Sequence, residues 1–168
     1  MRLTHPFSKN GGFTLTETIV VIGLIAIMSS VGYSGFSSWQ KRERVRSATY
    51  RFASYLKEAR MKAIEKFCSH TISFTATQYT IFLDANNDFV QQNDEAVVHQ
   101  VDLADLDPGI TVSVPNAYTL RFDPRGKPQR SGGGFGNNTV GFSDDDGFGV
   151  NVVIAPLGGV TVSECGST

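Results

Sequence analysis

The residue whose chemistry fits its surroundings least is Glu17, a carboxylate at the start of an apolar run. The 23 residues from Thr18 to Gln40 include no charged side chain. A carboxylate beside such a segment is costly in hydrocarbon unless it is paired or protonated. A cut between Gly12 and Phe13 would provide a partner, because it frees the α-amine of Phe13 four residues before Glu17. That ion pair could form within one chain or between neighbouring chains. A single acid that reaches the interface alone is the alternative.

A second group of oxygen-bearing side chains has the spacing of a calcium loop. Asp84, Asn86, Asp88 and Glu95 stand at the first, third, fifth and twelfth positions of one stretch. Phe89 stands at the sixth position, where that loop requires glycine, and the flanking residues predict strands rather than helices. We therefore expect a solvated hairpin loop and no cofactor, with calcium binding as the alternative.

The two cysteines, Cys68 and Cys165, belong to no CxxC pair and no metal-ligand cluster. If this part of the chain lies outside the cytoplasm, we expect one disulfide that joins them. Two unpaired thiols are the alternative. His70 lies near Cys68 in sequence, but no third group that would orient a nucleophile pair is identifiable. The sequence therefore predicts no enzyme.

The order of segments at the N-terminus predicts which of them remain in the mature protein. Arg2, Lys9 and two glycines precede the apolar run, whereas a secretory signal is cut behind its apolar segment. We predict a cleaved leader at 1–12 and a retained transmembrane helix at 13–40. Its uncharged stretch is long enough to cross about 30 Å of hydrocarbon at about 1.5 Å per residue.

Residues 41–67 predict an amphipathic continuation of the same helix. Apolar side chains recur there every three or four residues. They are Val45, Ala48, Phe52, Leu56, Ala59, Ala63 and Phe67. Nine Lys/Arg and three Glu lie within 41–66, whereas 67–168 contains four Lys/Arg and twelve Asp/Glu. A basic helix and an acidic head argue against indiscriminate binding of polyanions and favour complementary packing between subunits.

The periodicity shortens to two from Thr71 onward, which predicts short strands. The predicted strands are Ile72/Phe74, Tyr79/Ile81/Leu83, Val97–Val101, Ile110–Val114, Tyr118–Phe122, Val140–Phe142, Val150–Ile154 and Val160–Val162. Proline- and glycine-containing turns separate several of them, as in antiparallel connections. We therefore predict an α+β fold in which the long helix packs on an antiparallel sheet, with a β-rich head at 68–168.

The run Gly12-Phe13-Thr14-Leu15-Thr16-Glu17 resembles the processing motif of type IV prepilins and type II secretion pseudopilins. The resemblance implies a prepilin peptidase that cuts after Gly12 and methylates the amine of Phe13. It implies that Glu17 aligns incoming subunits. It also implies a bacterial inner-membrane protein with one span and a periplasmic head. Such a protein enters a filament with other major and minor pilins through a platform protein and an ATPase.

The head resembles a narrower group, the FimT/GspH minor pilins and pseudopilins. The resemblance rests on Leu120-Arg-Phe-Asp-Pro-Arg-Gly126, a glycine-rich spacer, and strands that end at Pro156-Leu-Gly-Gly-Val160. It implies a pilin-like fold and a subunit that is incorporated into a filament or primes it. Type IV pilus and type II secretion pseudopilus both stay open.

Some FimT-like pilins serve in DNA uptake, so the basic residues of the head define an alternative function. They are Arg121, Arg125, Lys127 and Arg130, which lie around a glycine turn. In those relatives basic residues near the C-terminal end contribute, whereas here residues 158–168 carry one charge, Glu164. We therefore expect a structural subunit, with DNA binding as the alternative.

Overall fold

We describe the protein from a computed structural model that covers residues 12–105, 109–114, 118–134 and 138–164, without the side chains of 31–34. Two parts of the sequence predictions lie outside the described residues: residues 1–11 of the leader, and Cys165. A single helix, α1, runs from Leu15 to Lys66 and confirms the predicted long N-terminal helix. Thr14 begins it as the N-cap, since its Oγ1 accepts the backbone N–H of Glu17 at 3.2 Å.

The chain divides into two compact units, residues 1–39 and 40–168. In the described part of the first unit the apolar side chains of α1 face outward. Ile19, Ile22 and Ile25, for example, are 57–61% exposed. Within the described residues no single helix meets the length and apolarity of a membrane span, although Leu15–Ser30 and Gly35–Lys66 meet them together as a bent pair.

The described residues of the second unit form nine strands in two antiparallel sheets. The first sheet has the order β3-β2-β1-β5-β6 and the second has the order β4-β7-β8-β9. The strands are β1 Ser69–Phe74, β2 Gln78–Asp84, β3 Val97–Asp102, β4 Thr111–Ser113, β5 Leu120–Phe122, β6 Pro128–Arg130, β7 Asn138–Ser143, β8 Gly149–Ile154 and β9 Val160–Glu164. The α+β fold is confirmed, and the eight predicted strands are all present. The sequence predicted a single sheet, but the described strands form two sheets.

The strand that the sequence analysis missed is β6. It begins at Pro128, and a proline argues against a strand unless it stands at a strand's first residue or on an edge. Pro128 meets both conditions, because β6 is the outer strand of its sheet and pairs only with β5 among the described strands.

The core of the second unit lies between α1 and the inner faces of both sheets. Phe52 of α1 is fully buried, and its ring lies 5.8 Å from Phe74, 4.9 Å from Tyr79 and 5.2 Å from Phe142. These three rings come from β1, β2 and β7, so one helix residue joins the two sheets. The predicted apolar stripe is buried from Val45 to Ala63.

Phe67, the last residue of the predicted stripe, is an exception to that burial. It lies just beyond α1 with a φ of 52° and is 81% exposed. A left-handed residue turns the chain away from the helix direction, so its side chain leaves the face that Ala63 and Leu56 share. The prediction that Phe67 packs in the core was therefore wrong.

Part of the predicted charge complementarity lies within the chain itself. Lys41 Nζ lies 2.8 Å from Asp146 Oδ2, and Arg46 Nε lies 2.8 Å from Glu164 Oε1. Both pairs connect the basic helix to the acidic sheet region. Exposed pairs of this kind stabilise a fold by about 1 kcal/mol or less.

Arg60 binds the helix to one turn from each sheet. Its Nε donates to the Gly126 carbonyl at 3.0 Å, and its Nη2 donates to the Leu157 carbonyl at 2.9 Å. Gly126 and Gly158 have φ values of 74° and 83° and approach each other closely. A Cβ at Gly158 would lie 2.5 Å from the Gly126 carbonyl oxygen and 2.6 Å from Arg60 Nε.

We predict that Gly158→Ala destabilises the fold more than Gly147→Ala. Both glycines have a φ of 83°, but a Cβ at Gly147 meets no atom within 4 Å. The two variants share the backbone strain, and only Gly158→Ala adds the clash with Arg60 and Gly126. The extra loss in the free energy of unfolding should be about 1 to 3 kcal/mol in chemical denaturation. Equal losses would contradict this contact between the turns.

Candidate assembly site and head sites

The predicted processing site lies in an open stretch before α1. Gly12 and Phe13 are exposed, and Phe13 retains 84% of its accessible surface. A Cβ at Gly12 would meet no described atom within 4 Å. The fold therefore does not require glycine at this position. A requirement for glycine there would come from a protein that binds this segment.

Glu17 occupies the third position of the helix, three residues after the N-cap Thr14. This is the arrangement of a capping box, in which Ser or Thr at the cap precedes Glu or Gln. The four leading N–H groups and the helix dipole favour an acid at this end. No cation pairs with Glu17 within the described ranges. Its carboxylate is exposed and available to a group from outside the described chain.

The carboxylates of the predicted calcium loop bind backbone N–H groups. Asp84 is fully buried and accepts the hydroxyl of Thr71 at 2.7 Å and the N–H groups of Asp88 and Phe89 at 3.1 and 3.2 Å. Glu95 accepts the N–H group of Ala85 at 2.9 Å and that of Gln92 at 3.1 Å. These bonds fold residues 85–96 back on themselves.

Phe89 has the left-handed conformation, with a φ of 68°, that a calcium loop reserves for glycine. Asn86 turns its amide nitrogen towards Asp88 Oδ2 at 2.9 Å, so the amide donates to the carboxylate. Across the ranges that the structure describes, no three His, Cys, Asp or Glu side chains are grouped to hold a metal ion. The hydrogen bonds of Asp84 and Glu95 show that these two carboxylates support the loop from within.

The four basic residues of the head do not form one surface. Arg125 and Lys127 are exposed in the turn between β5 and β6. Arg121 instead keeps only 12% of its side-chain surface and donates from Nη1 to the Asn87 carbonyl at 2.8 Å. Its guanidinium carbon lies 4.1 Å from the centre of the Phe89 ring. Arg130 is half-buried, and its guanidinium carbon lies 5.5 Å from the centre of the Tyr118 ring. The predicted nucleic-acid cluster is thus divided among an exposed turn, an interior support of the loop and a contact with Tyr118.

His70 and Cys68 are not arranged as a base and a nucleophile. His70 is fully buried in β1, and its Nδ1 lies 3.1 Å from the carbonyl oxygen of Cys68. Burial lowers the pKa of His70. The ring therefore favours its neutral form and stabilises the backbone where the chain leaves α1.

Cys68 is half-buried and has no disulfide partner among the described residues. Cys165 lies outside the described residues, so the predicted disulfide stays a prediction.

The sequence did not indicate the structural roles of Arg60, Arg121 and Gln129. The sequence indicates turns at Gly126 and Gly158, but it assigns no role to Arg60. Two glycines with positive φ signal a close approach, but neither identifies the side chain that comes near. Arg121 and Gln129 lie opposite each other in the register of β5 and β6, which cannot be read before β6 is known.

Comparison with known families gives two matches. Residues 48–158 match the type II transport protein GspH, and residues 7–33 match the prokaryotic N-terminal methylation motif. No curated protein sequence matches the chain. The two matches coincide with the head and with the segment around Gly12 and Glu17.

Two solved minor subunits share the fold. One crystal structure of the Pseudomonas aeruginosa type IV minor pilin FimU has a TM-score of 0.56 at 17% identity, over 74% of this chain and 92% of that one. The minor pseudopilin EpsH of the Vibrio cholerae type 2 secretion system has a TM-score of 0.54 at 12% identity, over 74% and 99%. Neither these descriptions nor the family matches support binding of DNA. Since the GspH match covers more than half of the sequence, the chain belongs to the family of the type II transport protein GspH.

Proposed function

We propose that this chain is a minor filament subunit that a prepilin peptidase cuts between Gly12 and Phe13. The observation that carries the proposal is the placement of an exposed cleavage segment, an acid at the third helical position and an outward-facing apolar helix in direct succession. The methylation-motif match spans all three features. Methylation of the Phe13 amine would follow the cut.

The cut creates an electrostatic need that Glu17 can satisfy. A new α-amine at Phe13 would stand beside the positive end of the α1 dipole, where a second positive charge is unfavourable. The carboxylate of Glu17, from the same chain or from a neighbour, offsets that charge in a medium of low dielectric constant. A pair between neighbours also fixes the axial position of one helix against the next. Assembly register therefore follows from charge.

The first half of the helix determines the location of the subunit before assembly and its partners in the filament. Its apolar side chains face outward, so they need hydrocarbon or other apolar helices around them. We place the precursor in the bacterial inner membrane with its head in the periplasm, and its later partners are other pilins or pseudopilins. An assembly platform and its ATPase would move it from the first environment to the second.

Replacing Gly12 with leucine should leave the full-length precursor in the membrane. No atom of the described residues lies within 4 Å of a Cβ at Gly12, so the fold should be unaffected and only recognition by the peptidase should fail. Immunoblotting of membrane fractions measures the ratio of precursor to mature chain. Gly23→Leu is the matched control, because Gly23 is equally open but lies inside α1. Mature chain from Gly12→Leu at the wild-type ratio would refute the cleavage site.

Glu17→Gln separates the charge of Glu17 from its position in the helix cap. Glutamine serves as well as glutamate at the third position of a capping box, so the helix start should persist while the charge is lost. We expect normal cutting but at least about tenfold less subunit in sheared filaments, the cost of one unpaired buried charge.

Thr14→Ala is the opposite control for Glu17→Gln. It removes the hydroxyl that accepts the Glu17 N–H and leaves the carboxylate. Losing an N-cap costs about 1 kcal/mol, and incorporation should stay near the wild-type level. If Thr14→Ala reduces incorporation as much as Glu17→Gln does, helix capping and not charge pairing explains the role of this segment.

A further inference from the structure

Strand β9 forms one edge of the second sheet and pairs only with β8 among the described strands. We propose that this edge, Val160–Glu164, binds an extended segment of another protein as an added strand. The segment carries apolar side chains and one acid on the face that it turns towards α1. This site lies in the head and does not depend on the proposed function.

The register of the β8–β9 hairpin shows which backbone groups of β9 are unused. The N–H of Ala155 donates to the Gly159 carbonyl at 2.8 Å, so these two residues form a hydrogen-bonded pair. Such pairs alternate with non-hydrogen-bonded pairs along an antiparallel ladder. Thr161 and Ser163 therefore bond to β8. The N–H and C=O groups of the alternate residues point away from β8, towards the open edge. These residues are Val160, Val162 and Glu164.

The other described sheet edges carry features that hinder strand addition. Strands β4 and β6 have three residues each, and β6 begins with Pro128. The register of β3 against β2 shifts between Ile81 and Phe82. Short strands, proline and bulges are common protections of an edge. Strand β9 has five residues in regular register, without proline or lysine. Its one charged side chain, Glu164, is bound to Arg46.

One stripe of α1 runs beside this edge. Arg46 binds Glu164, and Arg60 binds the Leu157 carbonyl in the turn before β9. The two arginines lie about 21 Å apart along the helix at about 1.5 Å per residue. A strand covers that distance in about six or seven residues, so β9 runs alongside α1. Residues spaced from the arginines by three or four positions share their side of the helix. They are Tyr50, Ala53, Lys57 and Ile64.

The stripe determines which side chains an added strand needs. Val160 and Val162 pack on the core, so residues directly opposite them on an added strand also face α1. There α1 exposes Tyr50 and Ile64, which are 60% and 43% accessible. Lys57 lies between them on the stripe, exposed and without an ion-pair partner among the described residues. Apolar side chains on either side of an acid cover the first two residues and neutralise the third.

A second copy of this chain does not fit the same edge. Two β9 strands that pair antiparallel are related by a two-fold axis, which brings the same stripe of both helices to one face of the joined sheet. Arg46, Lys57 and Arg60 of one copy then face the same residues of the other. Like charges across an interface oppose association. The edge therefore favours a different chain that is acidic where this helix is basic.

The test titrates the full chain in zwitterionic detergent into a fluorescent peptide, Thr-Val-Thr-Glu-Thr-Val-Thr, and measures anisotropy. We expect saturation with a Kd on the order of 0.1 mM, because backbone bonds supply most of the affinity of an added strand. N-methylation of the valines and the glutamate removes the N–H groups that face β9 and should weaken binding at least about tenfold.

N-methylation of three of the threonines is the matched control for the peptide. Their N–H groups face away from β9 in the added strand, so the Kd should stay within about threefold. No binding of the unmodified peptide, or equal weakening by the two methylated peptides, would overturn the inference.

Val162→Pro tests the edge from the side of the protein. The Val162 N–H faces away from β8, so proline there keeps the β8–β9 ladder and removes one donor from the open edge. The melting temperature should stay within about 5 °C of the wild type. The peptide should bind at least about tenfold more weakly. Wild-type affinity in a folded Val162→Pro chain would contradict strand pairing at this edge.

Charge reversal on α1 tests the stripe without a change in β9. Lys57→Glu should weaken binding at least about tenfold, and a peptide with lysine in place of glutamate should prefer this variant to the wild type. Arg51→Glu is the control, since it makes the same charge change at an exposed position of α1 outside the stripe. It should leave the Kd within about twofold. Equal weakening by both variants would contradict the pairing of Lys57 with the acid.

Sedimentation of the wild-type chain and Val162→Pro distinguishes a different partner from a second copy. We expect no dimer that depends on the edge. A wild-type dimer that Val162→Pro abolishes would overturn the inference, because a second copy would then occupy β9. Either failure would leave the proposed cleavage and the Glu17 pair intact, since no residue of the edge or the stripe takes part in them.

Discussion

The structure depends on one constraint, which is that the first half of α1 exposes apolar side chains to its surroundings. In the described residues up to Trp39 these side chains need a hydrocarbon layer or apolar helices from other subunits. That need explains why charge is confined to the ends of the segment. Under the proposed function, the one acid, Glu17, stands where a cut would create an amine to pair with it. Under the proposed function, a membrane and a filament are the two environments that cover these side chains.

The second half of the helix buries its apolar side chains within the chain itself. Phe52 contacts rings from three strands in two sheets, and Arg60 donates to turns from both. Apolar packing supplies most of the free energy, whereas the arginine fixes which turns meet. The second unit is therefore organised around its own part of the helix.

The elements that follow from periodicity could be predicted from the sequence, and those that depend on long-range register could not. Helix α1 and eight strands follow from apolar spacing, and the segment from Gly12 to Glu17 follows from residue order. Strand β6 was hidden by Pro128, and with it the register that places Gln129 beside Arg121. Phe67 was misplaced because helical spacing continues past the residue at which a left-handed φ ends the helix. The hydrogen-bond partners of Asp84 lie in the loop that follows β2, and no local sequence pattern predicts the path of that loop.

The most direct test of the account is the mass of the N-terminal peptide of this chain in purified, sheared filaments. If the chain is a cut subunit whose new amine matters, that peptide begins at Phe13 and carries one added methyl group on its α-nitrogen. A peptide that spans the Gly12–Phe13 bond in assembled filaments would contradict the account, because an uncut chain has no amine for Glu17 to meet.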